Sequence, residues 1–168
     1  MTVHAYVPRA VRQAIEAGAK CVDHGQLLDE RTAKLMAERG IWWSLQPFVD
    51  DRPSSVPEGS ENRQKQLETF AGTDAAYRLA TKHPAKTAWG TGTLFSAEAA
   101  AMEGTQLAQR VRWCSPAQVP RMPTADNAEP LALSGARHPY PGRLGVVKKG
   151  RWRTSSSSPA TRSRASIG

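Results

Sequence analysis

Two histidines close β-rich segments of this sequence, in Val3-His4-Ala5-Tyr6 and in Asp23-His24-Gly25, and a helical pattern follows each. A neutral imidazole ligates zinc and similar ions and carries protons near neutral pH. A lone histidine at a strand end is more often a hydrogen-bonded structural residue, but two at matching ends of consecutive strand-helix units point to one shared site. Two imidazoles fill only half of a tetrahedral zinc shell, so a metal there needs further ligands. Tyr6 and Arg9 follow His4 closely, and a phenol beside a guanidinium fork can hold a substrate carboxylate, although a helix start or plain surface also accommodates both residues. His83 before Pro84 and His138 before Pro139 lie in turn-like sequence and read as solvated. Trp42 and Trp43 read as core.

The elements that must position these groups repeat. Met1 to Tyr6 alternates as a strand, and Pro8 then opens a helix with Ala10, Val11, Ala14, Ile15 and Ala17 at helical spacing as far as Gly18. Lys20 to Val22 is a second strand, running into Asp23-His24-Gly25. Asp29 caps a helix whose apolar face is Ala33, Leu35, Met36 and Ala37, ended by Gly40. Ile41 to Leu45 is a third strand, followed by a Pro-rich loop from Pro47 to Gly59 and a long helical pattern from Glu61 to Lys82. Thr87 to Trp89 is a fourth strand, leading through Gly90-Thr91-Gly92-Thr93 to a helix from Ala97 to Trp113. Four strand-helix units in succession predict parallel strands with right-handed crossovers. No glycine-rich phosphate fingerprint follows the first strand, so a (β/α)₈ barrel is favoured over a doubly wound sheet. In a barrel the site lies at the C-terminal strand ends, which puts His4, His24, Gln46 and the loop 91–93 on one rim. A full barrel takes about 250 residues, so four units amount to half of one.

The charge is +8 in 168 residues, yet Lys148, Lys149, Arg151, Arg153, Arg162 and Arg164 supply six of those charges in a stretch without an acid. A nearly neutral body argues against nucleic acid as a partner, since phosphate binding needs clustered cations on the folded surface. Loss of DNA binding on removal of residues 151–168 would be the mark of that rejected reading. Cys21 and Cys114 follow no metal or redox spacing and are expected to be free thiols. No apolar run reaches the ~20 residues of a membrane span, and no signal peptide opens the chain, so no membrane partner and a cytoplasmic location are the expectations.

The segments Val3-His4-Ala5-Tyr6, Asp23-His24-Gly25-Gln26-Leu27-Leu28, Trp89-Gly90-Thr91-Gly92-Thr93 and Thr124-Ala125-Asp126-Asn127-Ala128 resemble, in order and spacing, strands five to eight of the metal-dependent amidohydrolase superfamily. The likeness is to its imidazolonepropionase-like and Xaa-Pro-dipeptidase-like branch, and it covers about residues 1 to 150. Gly142-Arg143-Leu144-Gly145-Val146-Val147-Lys148-Lys149-Gly150 is similar to the run that returns such chains to their small β-domain. The resemblance implies that His4 and His24 are metal ligands, and that position 92 is ordinarily an aspartate that binds metal and takes a proton from the attacking water. Gly92 offers no ligand atom. A His-x-His pair and a carboxylated lysine, also implied, have no counterpart here. Zinc or a similar divalent ion is thus the family's cofactor, which this chain is not expected to hold stably.

Composition changes abruptly at Arg151. If GC-rich codons encode Arg151 to Ser166, reading one nucleotide earlier gives ALADLLLVAGDPLASI, which is similar to the family's continuation, and Trp152 allows only one codon. A frameshift near Gly150 follows, against the alternative of a native basic, disordered tail. Pro120, Pro123 and Pro130 interrupt Ser115 to Leu133, which otherwise reads as helix, and an interior proline costs ~3 kcal/mol. The domain expectation is therefore a half-barrel over 1–147 and a disordered tail over 148–168. The functional expectation is an inactive relative of C–N bond hydrolases acting on small-molecule or dipeptide substrates. The alternative is a non-catalytic fragment that pairs with a complementary barrel half or with a second copy, since exposed strand edges favour pairing.

Overall fold

A computed structural model of the chain describes residues 1–50, 54, 56–93, 97–140, 142–147 and 149. Strands β1 (Thr2–Ala5), β2 (Cys21–His24), β3 (Trp42–Leu45) and β4 (Lys86–Trp89) form one sheet in the order β1-β2-β3-β4. Every pairing is parallel, with Val3 opposite Val22, Val22 opposite Trp43 and Trp43 opposite Thr87. Sequential parallel order without a reversal is the arrangement of a barrel wall, whereas a doubly wound sheet reverses direction at a switch point.

Helices α1 (Pro8–Glu16), α2 (Glu30–Glu38) and α3 (Glu61–Lys82) are the crossovers. Pro8 lies in the first turn of α1, where its missing amide hydrogen costs nothing. The Asp29 carboxylate accepts from the Thr32 amide at 2.8 Å and caps α2, as its sequence position requires, and Ser60 caps α3 through the Arg63 amide. Alternate strand residues Ala5, Val22, Trp43 and Leu45 join Val11, Ala33, Met36, Ala76, Tyr77 and Ala80 in one apolar core. Each large member withdrawn from water contributes about 1.5–3 kcal/mol, which makes this layer between sheet and helices the main stabilising element. Trp42 packs on the opposite face with Cys21 and Ala88. Both cysteines are free.

The region after β4 departs from the single helix expected over Ala97 to Trp113. It breaks into α4 (Ala97–Ala101), α5 (Glu103–Gln109) and a 3₁₀ turn at Arg110–Arg112. Neither α4 nor α5 buries a residue, so no packed face compensates for the low helix propensity of Gly104 and Thr105. Arg110, by contrast, is fully buried; it donates to the Leu45 carbonyl at 3.0 Å and lies 4.9 Å from the Tyr77 ring. The prolines likewise divide the stretch 115–133: Pro123 opens a π-turn at Met122–Asp126 and Pro130 lies inside α6 (Asn127–Ala132). His83, read as solvated, instead contacts the Glu30 carboxylate at 3.1 Å and is mostly covered, because α3 brings it against the start of α2. His138 is partly covered and packs edge-on against Tyr140. The expected tail, 148–168, lies outside the described residues apart from Lys149, and the frameshift reading with it.

Candidate functional site

His4 and His24 meet at the C-terminal ends of β1 and β2, with His24 Nε2 and His4 Nδ1 2.9 Å apart and the ring centroids at 4.1 Å. Register alone does not bring them together. His4 stands opposite Asp23, and His24 opposite Ala5, so regular pleating would send the two imidazoles to opposite faces of the sheet. The backbone of His24 is left-handed, with φ of +80°, and it is the only non-glycine residue with positive φ among the described residues. This local turn re-aims the ring onto the rim. Such a conformation carries strain for a residue with a Cβ and persists where its surroundings hold it. Two contacts do so: the Trp43 indole donates to the His24 carbonyl at 2.7 Å, and the Gly25 amide donates to the Ala5 carbonyl at 2.8 Å. Gly25 also has positive φ, and a Cβ there would press on the same indole, so a side chain at 25 is excluded.

Aromatic rings flank the pair. Tyr6 stacks on His24 at 4.5 Å with an interplanar angle of 18°, Phe48 lies on from it at 5.9 Å and 22°, and Phe70 follows Phe48 at 5.8 Å. Burial, then the neighbouring His4, lowers the His24 pKa from its ordinary value, and burial raises that of the Tyr6 phenol. His24 Nδ1 is buried without a hydrogen-bond partner. Arg9 is exposed in the first turn of α1, and among the described residues no contact joins it to the histidines, so the proposed clamp has only its Tyr6 half at the pair.

Gln46 occupies the rim as expected, its amide donating to the Ser44 carbonyl at 3.1 Å. Gly92 has φ of +68° at the end of the β4 loop. A Cβ built there would stand 2.9 Å from two ring carbons of Phe48 and 3.5 Å from Gln46 Cγ. Position 92 therefore does point toward the aromatic stack on His24. The nearby Glu103 carboxylate is engaged by two hydroxyls, Thr93 at 3.2 Å and Thr91 at 3.4 Å. Asn127 holds the loop's root: its side-chain oxygen accepts from the Trp89 amide and its side-chain nitrogen donates to the Trp89 carbonyl, both at 2.8 Å.

The fold resembles solved structures of a prolidase and of an amidohydrolase. A prolidase crystallised with N-methylphosphonate-L-proline superposes with a TM-score of 0.73 at 23% identity, over 89% of this chain and 35% of that one. A structure described as an amidohydrolase gives 0.70 at 24% identity, over 86% and 34% of the two chains. The four-stranded parallel sheet with its helical crossovers matches part of the barrel in these structures. No family model matches the sequence, nor does any curated protein. The chain spans about a third of the length of the barrel proteins it matches.

Amidohydrolases imply a divalent metal, and the donor set can be tested against one. Two ligand nitrogens on a tetrahedral zinc, each at about 2.05 Å, stand about 3.3 Å apart, so the 2.9 Å between His4 and His24 is a direct hydrogen-bond distance and shorter than a shared-ligand spacing. A third ligand is what the pair lacks: among the described residues no group of three or more His, Cys, Asp or Glu could hold a metal ion. The residues described thus do not fit a stable zinc site, and the partner of each imidazole nitrogen at the contact is the other imidazole. The sequence singled out His4, His24, Tyr6, Arg9 and Gly92 as candidates, of which the structure brings the first three into contact. Sequence reasoning passed over Phe48, which follows Pro47 in a loop and carries no periodic or motif signal of its own.

Proposed function

We propose that this chain derives from strands five to eight of an amidohydrolase, whose parent hydrolyses amide, peptide or cyclic amide C–N bonds, and that the chain itself does not catalyse that reaction. The observation that carries the reading is the meeting of His4 and His24 at 2.9 Å on adjacent strand ends, achieved through a strained backbone at His24. Strain of this kind at a rim is a signature of sites built for chemistry rather than for packing. In the parent, a bound metal supplies the water activation, bringing its pKa down toward 7. The residues of this chain keep two of the holding positions, His4 and His24, with Tyr6 covering one ring face. Position 92 lacks the carboxylate needed both as ligand and as proton acceptor.

Purified chain should carry less than one equivalent of zinc by atomic absorption and should leave dipeptides and N-acyl amino acids uncleaved. A zinc-loaded preparation that hydrolyses either substrate defeats the proposal. The nucleotide sequence on both sides supplies the complementary test: a His-x-His segment upstream, and an Ala-Asp strand in the shifted frame after codon 150, accompany a decayed gene.

A second reading, association with a complementary barrel half, draws on the unequal edges of the sheet. No strand pairs with the outer side of β1 among the described residues, whereas β4 is capped by Asn127 and flanked by the segment 122–132. Co-expression with an amidohydrolase segment carrying strands one to four, followed by size-exclusion chromatography, tests it; elution of two independent species argues against it.

A further inference from the structure

We infer that Phe48 stands in the side-chain space of position 92, so that an aromatic stack, and not a metal, now holds the imidazole pair, and restoring the aspartate alone does not restore a metal site. The inference rests on the reading of His4 and His24 as former ligands. Three observations lead to it. A Cβ on Gly92 would approach Cε1 and Cζ of Phe48 to 2.9 Å, inside the separation that real side chains keep. These two atoms are the far end of a phenyl ring, which could swing away were it free. It is not free: the ring lies between His24 at 5.9 Å and Phe70 at 5.8 Å, within the range of favourable aromatic pairs. The backbone at 92, with φ of +68°, adds a conformation that a residue with a Cβ adopts reluctantly, although aspartate tolerates it better than most.

The stack also accounts for the ring planes. Tyr6 and Phe48 each lie nearly parallel to His24, at 18° and 22°, so two aromatic rings neighbour an imidazole whose Nε2 is turned to His4. Replacing Phe48 removes one of these neighbouring rings and opens the volume into which position 92 points.

A double-variant cycle decides the matter. Gly92→Asp should lower the Tm of the full chain by several degrees, and the same change made in a Phe48→Ala background should lower it distinctly less. Equal losses in the two backgrounds overturn the inference, because the two side chains then do not compete for space. Should Gly92→Asp fail to fold, rescue of folding by Phe48→Ala counts as support and absence of rescue counts against. Phe48→Ala alone should shift the His24 ring proton resonances through loss of the neighbouring ring current; unmoved resonances also overturn it. Zinc titration separates the two ideas. The double variant should bind zinc more than about tenfold tighter than Gly92→Asp, and His4→Ala should abolish the gain. A positive thermal cycle with no zinc gain, or a gain that survives His4→Ala, leaves the packing inference standing and sinks the reading of the histidines as ligands.

Discussion

Asn127 gives the sharpest handle on this fold, because its side chain does what a neighbouring strand would do. It accepts from the Trp89 amide and donates to the Trp89 carbonyl, each at 2.8 Å, at the end of β4 from which the Gly92 loop departs. Asn127→Ala removes both bonds and leaves two partly buried backbone groups unpaired. A hydrogen bond contributes about 1 kcal/mol net, and an unsatisfied group costs about 1–3 kcal/mol, so two of them in a half-wet site predict a loss of about 2–4 kcal/mol. Asn127→Asp discriminates further. The aspartate keeps the acceptor for the Trp89 amide but sets a second carboxylate oxygen against the Trp89 carbonyl oxygen. Its loss at pH 7.5 should equal or exceed that of the alanine variant, and the gap should narrow as the pH falls toward 4, where a protonated carboxyl can donate the missing bond. Urea unfolding of the parent and both variants measures the energies, and hydrogen exchange at the Trp89 amide reports the local effect. A parent-like Asn127→Asp at pH 7.5, or a Trp89 amide whose exchange is unchanged in Asn127→Ala, refutes the strand-mimic role.

Arg110 is fully buried with Nε and Nη2 unpartnered, and Tyr77 also donates to the Leu45 carbonyl it serves. Arg110→Met should therefore stay within about 1 kcal/mol of the parent in urea unfolding, while Arg110→Ala, which opens a cavity, should lose about 2–5 kcal/mol. Because burial and His4 hold the folded-state pKa of His24 below its ordinary ~6.5, protons bind the unfolded chain more readily. Stability contributed by neutral His24 should be complete above about pH 6.5 and drain away as the pH falls through the lowered folded value; thermal melts from pH 7.5 to 5 should show a shallower decline in His24→Gln. Asp29→Ala removes the cap on the Thr32 amide and should cost about 1 kcal/mol, with helix α2 showing the faster hydrogen exchange.

The strand-helix rhythm was readable because period-two and helical patterns alternate cleanly through residue 89, and the cap at Asp29 and the long helix α3 fall where composition puts them. Past β4 the reading weakened, since α4 and α5 bury nothing and a helix without a packed face has no periodic signature to read. The two histidines were recognisable as rim residues from strand position. Their contact was not, because it depends on the left-handed turn at His24, a backbone state that residue type alone does not announce. Phe48 and Asn127 illustrate a different limit. One fills space left by a missing side chain 44 positions later and the other completes a strand 38 positions earlier, and neither relation leaves a mark in local spacing.

The unequal edges of the sheet bear on how far association could go. A sheet open on both sides can add strands at either end without limit, which is the geometry of fibres. Here Asn127 occupies the position beside Trp89 on the β4 edge, and among the described residues no strand pairs with the outer side of β1. Strand addition through β1 would join two copies by one edge each, and growth beyond the pair along β4 would have to displace Asn127 from Trp89.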